Sequence, residues 1–266
     1  MKLDAISRLQ RDARRVGEII AVLVRYNLAE WLKGLNYSWI QERLQSADGQ
    51  AISVLKHEER VRLALAELGA TFIKLGQMLS TRADLIGAAL ADELAKLQTD
   101  APADGPEKIG ATIVAELGRP PQEIFARFDP EPLASGSIAQ VHAAQLPSGE
   151  EVVVKVQHAG IMEKVLPDLE ILSALAELAE KHSASLRLLR PAETVRQFRR
   201  TLMRELDFTR ERQNLEEFAR HFAADGAVHF PSAYRRYSGR RVLTMERLTG
   251  ISGTDPEGLA RSGADL

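Results

Sequence analysis

A lysine set in a valine run, Val152-Val-Val-Lys-Val-Gln-His158, is the residue of this chain best placed to do chemistry. A lysine ammonium is almost never buried without a partner, but its stem can lie along apolar surface while the head reaches a polar cleft. The run reads as an apolar strand buried on both faces, so Lys155 calls for an anion, and a phosphate suits it. Upstream, Pro132-Leu-Ala-Ser-Gly-Ser-Ile-Ala-Gln-Val-His142 supplies a small-residue loop between β-rich stretches. Small side chains let backbone N–H groups approach an anion. Leu146-Pro-Ser-Gly-Glu150 is a turn cluster that closes a hairpin. Val-Val-Val-Lys alone favours an edge-strand lysine pointing to solvent; the preceding loop reverses that preference. Strand, loop, strand, hairpin, strand with one lysine is how a kinase-like N-lobe builds a nucleotide pocket.

The loop is not a G-x-G-x-x-G loop. Ala134, Ser135, Gly136, Ser137, Ile138, Ala139 and Gln140 stand in its place. Alanine takes positive φ at a cost, so this loop should be stiffer than a glycine loop. Two further motifs occur in order around it: Lys74-Leu-Gly-Gln77 before it and Glu205-Leu-Asp207 after it.

With these three motifs the chain resembles the UbiB/AarF family of atypical protein-kinase-like proteins, which support ubiquinone synthesis. The resemblance covers roughly residues 58 to 250. The family's loop has the form A-x-x-S-I-x-Q-V-H and usually carries alanine where Gly136 stands, so Gly136 should loosen it. The resemblance implies an α+β fold: a kinase-like N-lobe with a small antiparallel sheet and a long helix, preceded by a helical extension. It implies that the extension lies across the nucleotide cleft as a regulatory lid. Lys74, Gly76 and Gln77 would sit on that lid and face Glu205 and Asp207. Such a lid would obstruct a protein substrate. The implied ligand is ATP or ADP, with Mg2+ expected only in a chain that has the C-lobe.

The elements that must position these residues can be read from periodicity. Val61, Leu65, Leu68, Phe72, Leu75 and Leu79 predict one amphipathic helix over about residues 59 to 81. Lys74 and Gln77 then share a face. Residues from about Glu193 to Ala223 read as one long helix without proline or glycine. Asp207, Glu211 and Asn214 fall on one face of it. One carboxylate should pair with Lys155; Glu211 is favoured and Glu205 is the rival. Asp207-Phe208-Thr209 begins like D-F-G but lacks the glycine and comes too early. Fifty residues separate Lys155 from Glu205, and Met162 to Lys181 fills that gap as an inserted helix with Leu169, Leu172, Ala176 and Ala179 on its apolar face. Val228-His-Phe-Pro231 and Arg241-Val-Leu-Thr-Met-Glu246 read as two more strands, the second ending at a hinge where Met245, Glu246 and Leu248 would offer groups to adenine.

The expected organisation is a helical extension over 1–100, a linker and helix over 101–125, the N-lobe over 126–250 with its insert at 160–190, and the start of a C-lobe over 251–266. Asp100-Ala-Pro-Ala-Asp-Gly-Pro106 is the clearest linker. No H-x-D tripeptide occurs, so catalytic residues are expected outside this chain, which reads as a truncation or fragment with little or no catalysis.

Composition narrows the classes. The chain has 266 residues, 45% of them apolar, enough to bury a core in one or two domains. A net charge of −2 argues against a general nucleic-acid surface. The absence of cysteine excludes disulfides and thiolate metal sites and fits a reducing cytoplasm. The six histidines show no zinc spacing, and no metal site is expected. Ile19 to Val24 is too short an apolar run to span a membrane. The first 35 residues nonetheless mix arginines with Val16, Ile19, Ile20, Trp31 and other apolar residues. That pattern fits a basic amphipathic helix on an anionic membrane surface or lipid, and equally a helix docked on parts of its own protein expected outside this chain. The resemblance tips the reading toward a cytoplasmic protein peripheral at the inner membrane, with quinone-biosynthesis enzymes as partners. Three functions compete: an ATP-binding UbiB-like kinase or ATPase, a non-catalytic nucleotide- or lipid-binding scaffold, and a protein or aminoglycoside kinase. The lid and the alanine-rich loop weaken the last.

Overall fold

The computed structural model describes residues 12–28, 55–97, 101–253 and 255–262. They divide into two compact units. One takes the described residues of 1–105, 134–140 and 157–206; the other takes those of 106–133, 141–156 and 207–266.

The first unit is helical. Its elements are α1 (Ala13–Arg25), α2 (His57–Leu68), α3 (Ala70–Ser80), α4 (Ala83–Ile86), α5 (Ala88–Leu94), α8 (Ile161–His182), α9 (Ala184–Leu188) and α10 (Pro191–Glu205). The single helix expected over 59–81 is two helices. Gly69 breaks it with φ 95° and ψ −164°, a conformation only glycine adopts at low cost. The K-x-G-Q glycine plays the opposite part. Gly76 stays helical, and a Cβ there would lie 2.3 Å from Leu97 Cδ1, so its missing side chain makes room for Leu65, Leu94 and Leu97. The inserted helix forms as α8. Its buried positions include Val165, Leu169, Ile171, Ala174, Ala176 and Leu178, a wider face than the expected stripe.

The amphipathic α1 finds its partner inside the chain. Val16, Ile19, Ile20 and Val22 are buried with Ala64, Leu68 and Phe72 of α2 and α3 and with Ile171, Ala174 and Leu178 of α8. Arg15 Nε donates to Asp168 Oδ1 at 2.7 Å, and its Nη2 donates to the Leu68 carbonyl at 2.7 Å, one of the open acceptors at a helix end. The helix over 13–25 is thus docked on elements of this same chain, not on the parts outside it that the alternative named, and that apolar face is not free for a lipid surface. Trp31, Arg8 and Arg11 lie outside the described residues. Among the described residues, no helix is long and apolar enough to cross a membrane.

The second unit is built on a four-stranded sheet in the order β1-β2-β3-β4: β1 (Arg127–Ser135), β2 (Ala139–Gln145), β3 (Glu151–Gln157) and β4 (Val242–Glu246). It also holds α6 (Pro106–Leu117), α7 (Pro121–Ile124), α11 (Phe208–His221) and α12 (Pro256–Ser262). The β2–β3 turn is closed by Leu146 and Glu150 and uses Gly149 at φ 104°. Its core joins Ile109, Ile113, Ile124 and Phe125 to Ala144, Leu146, Val152, Val154, Val156 and Val242. The α+β class and the small sheet with helices stand as expected. Val228–Pro231 is not a strand; Ala233 makes an isolated bridge to Met245 instead. The long helix expected over 193–223 is interrupted at Leu206 and Asp207, so α10 and α11 are separate helices.

Candidate functional site

β3 alternates, rather than being buried on both faces as its sequence implied. Val152, Val154 and Val156 point into the core, while Val153 and Lys155 lie half-buried on the other face. Antiparallel pairing with β4 sets Lys155 opposite Leu243. Lys155 Nζ donates to both carboxylate oxygens of Glu211, at 2.7 and 3.0 Å, and stands 4.9 Å from the centroid of the Phe208 ring. Of the two rival carboxylates, Glu211 is the one beside Lys155. It lies in the first turn of α11, where the helix dipole favours a negative charge. Asp207 starts that helix: its Oδ1 accepts from the Thr209 amide at 3.1 Å. The side chains of Lys155 and Glu211 remain 28% and 39% exposed. An ion pair this open contributes modestly to stability. Its geometry holds the ammonium in one place, where a phosphate oxygen can join or replace the carboxylate.

The loop Ala134–Gln140 is tied down within the first unit. Gly136 N–H donates to the Ala139 carbonyl at 2.8 Å, and the Gly136 carbonyl accepts from His158 Nε2 at 2.8 Å. His158 N–H donates to the Ile138 carbonyl, and Ala101 N–H to the Ser135 carbonyl. Gln140, fully buried, exchanges two hydrogen bonds with the backbone of Asp104. Ser137 is buried as well. The loosening expected at Gly136 is thus opposed on both sides of its peptide. Ser135 Oγ is enclosed and has no hydrogen-bond partner in the protein. An orphaned buried hydroxyl costs free energy until something accepts from it. A phosphate oxygen fits that need, so the loop's chemistry is compatible with a nucleotide.

The residues expected on a lid are split. Lys74 Nζ pairs with Glu205 Oε2 at 2.9 Å, and Gln77 Nε2 donates to the Leu97 carbonyl at 3.4 Å. Lys74, Gln77 and Met78 on α3 face Phe198, Thr201, Leu202 and Glu205 on α10 across a groove of about 220 Å³. Asp207 does not join them. Past the break its carboxylate is taken by Thr209 and by Arg240, 3.5 Å away.

The hinge positions are more engaged than their sequence suggested. Met245 and Glu246 pair with Val153 and Val152. Glu246 N–H donates to the Ser232 carbonyl, and Arg247 N–H to the Glu151 carbonyl. The Glu246 carboxylate accepts from Ser232 N–H at 3.0 Å and lies 3.0 Å from His229 Nε2; the amide bond and then the histidine hold it below the usual carboxylate range. Of the three, only Leu248 lies beyond these bonds, and it is exposed.

Sequence reasoning missed Asp104, written inside an apparent linker, and His158, the residue that ends the lysine strand. Asp104 Oδ2 accepts from Ala159 N–H at 2.9 Å and lies 3.1 Å from His158 Nδ1. An Asp-Gly-Pro run reads as a turn, and nothing in it signals a carboxylate turned toward a residue 54 positions on. The motif histidine His142 is a core residue. It stacks on Phe128 at 4.9 Å and bonds the Asp129 carbonyl through Nδ1 at 2.8 Å. Among the described residues, no three His, Asp or Glu side chains gather as a metal site.

The family profile of the ABC1 atypical kinase-like domain matches residues 96–266. The chain is similar to the "Probable protein kinase UbiB" of Pseudomonas fluorescens, 42% identical over 271 residues, covering 100% of this chain and 49% of the relative. It is similar also to that of Azotobacter vinelandii, 41% identical over 280 residues with the same coverages. The chain thus spans about half the length of these curated relatives. A solved structure, the complex of Rv3197 with erythromycin from Mycobacterium tuberculosis, is 26% identical with a TM-score of 0.45 over 72% of this chain and 46% of that one; at that score the overlap carries no structural argument.

Proposed function

Because the chain belongs to the ABC1 atypical kinase-like family, we propose that it binds ATP or ADP as a UbiB-like atypical kinase or ATPase serving ubiquinone synthesis. The observation that carries this reading is the ion pair between Lys155, in the middle of a core strand, and Glu211 in the first turn of α11. Kinase-like N-lobes use such a pair to hold a lysine for the nucleotide phosphates. In this reading Glu211 and the Phe208 ring orient the ammonium, and Lys155 neutralises phosphate charge. The clamped backbone of 134–140 keeps that loop from sweeping freely. Magnesium enters as the companion of the nucleotide, with no side chain of this chain assigned to it. Leu248 contributes apolar surface to the base.

The same reading takes 126–250 as the N-lobe, 160–190 as its insert and 1–100 as a regulatory extension acting through the Lys74–Glu205 pair. The resemblance also supports an inner-membrane context beside quinone-biosynthesis enzymes. Any lipid contact would use a surface other than the covered face of α1.

The test is calorimetric titration of ATP and ADP, with and without magnesium, into this chain and into its Lys155→Ala variant. Binding that weakens at least tenfold in the variant is expected. Equal affinity of the two proteins, or no binding by either, would overturn the assignment.

A further inference from the structure

We propose that Asp104 and His158 are positioning residues that hold the loop Ser135–Gln140 through a doubly protonated imidazole, so that the loop's hold depends on one proton. The proposal rests on the nucleotide reading only for its consequence; the geometry stands on its own.

Both ring nitrogens of His158 face atoms that can only accept. Nε2 lies 2.8 Å from the Gly136 carbonyl oxygen, and Nδ1 lies 3.1 Å from Asp104 Oδ2. A neutral imidazole has one N–H and one lone pair. It can make either bond, but the other nitrogen then turns a lone pair on an oxygen. Only the imidazolium makes both. The ring is 12% exposed, so water replaces a lost bond poorly. Asp104 is the charged group bonded to the ring. The loop itself, 134–140, contributes no titratable side chain. Glu163 and Lys164, which open α8, are exposed, and Lys108 follows Asp104 by four positions in the sequence.

The surrounding bonds make this ring the joint of a clamp. Asp104 Oδ2 also takes the Ala159 amide, and the Asp104 backbone holds the Gln140 side chain. His158 N–H holds the Ile138 carbonyl, and Ala101 holds Ser135. Losing the His158–Gly136 bond frees the loop at the Gly136–Ser137 peptide, one residue past Ser135, whose enclosed hydroxyl is the loop's candidate phosphate donor. Acid then favours the clamped loop; a neutral ring gives its single N–H to the Asp104 carboxylate, the stronger acceptor, and turns a lone pair on the Gly136 carbonyl, so raising the pH releases the loop.

The test follows the His158 ring nitrogens and the amides of Gly136, Ile138 and Ala159 by NMR in 15N-labelled protein across that titration. We expect protons on both ring nitrogens on the acid side, and loop amides that move with the ring in one transition. In parallel, ATP affinity is compared with that of His158→Gln at each pH; the ligand's own phosphate titration cancels in the ratio. The ratio should change about fivefold across the transition, the effect of one net hydrogen bond. A ring that titrates while the loop amides stay still, or one that never carries two protons, would overturn the clamp. Coupled titration in a protein that binds no ATP at any pH would support the clamp and overturn the nucleotide reading, so the two fail separately.

Discussion

Single side chains here are best understood by what would be left behind without them. Asp168 is 2% exposed and is matched by Arg15, which reaches it from α1. Arg15→Met keeps the apolar stem but abandons a buried carboxylate, which costs about 3 kcal/mol. Urea denaturation should show a loss of that size, and a loss below about 0.5 kcal/mol would mean that water already screens the pair. Lys155 was legible because a charge inside a valine run is anomalous by itself. Glu211 was legible, with Glu205 as its rival, because a kinase-like lysine needs a carboxylate from a helix beside its strand. Asp104 and His158 were not, because each looks ordinary in its local context. Their meaning lies in a contact between distant segments, and no local signal encodes it.

At the scale of elements, the sequence revealed helical phase more readily than helical breaks. Gly69 and Gly76 are the same residue seven positions apart in one apolar pattern, yet Gly69 ends a helix and Gly76 lets leucines approach one. Periodicity cannot separate these roles, since both leave the stripe in phase. Stability can. Gly69→Ala meets no neighbour but forces a side chain to φ 95°, and should cost about 1–3 kcal/mol in chemical denaturation. A neutral result would show that the α2–α3 junction relaxes to an ordinary conformation. The break at Leu206 and Asp207 was masked by high helix propensity on both sides. Its signal was an aspartate able to cap, and that competes weakly with a run of good helix formers. The break sends Glu205 toward Lys74 and leaves Asp207 to begin the helix that carries Glu211. Amphipathicity likewise told that α1 buries a face, but not that α2, α3 and α8 supply the cover.

For the molecule as a whole, the ionisable groups predict how stability follows pH. Burial pushes the His142 imidazole below its ordinary value, and its bond to the Asp129 carbonyl only partly opposes this. A base with a lowered folded value binds its proton more readily when unfolded. Its contribution is therefore whole above about 6.5 and is lost as the pH falls toward the lower folded value. Glu18, lowered chiefly by Arg15, and Glu246, lowered chiefly by the Ser232 amide, follow below the ordinary carboxylate range. Their contribution is present above that range and disappears as the pH drops through their lowered values. On acidification the wild type should therefore lose melting temperature relative to His142→Asn through the histidine range, before the carboxylate loss that both proteins share; the His158 contribution cancels in the comparison. No pH-dependent difference between the two proteins above the carboxylate range would mean that His142 is solvated in the folded protein. The acid-side strengthening of the His158 clamp would appear in the loop amides, so the two histidines can be read apart.

The pleat of β3 has a consequence for descent as well as for folding. Valines 152, 154 and 156 face one way and Lys155 the other, so deleting a single codon among 152–154 would carry the lysine into the core and turn valines outward. The turn at Pro147–Gly149, exposed and outside the ladder, could lengthen without that exchange. Gains and losses of residues among homologous genes should therefore gather at the turn and be nearly missing from the few codons that follow it.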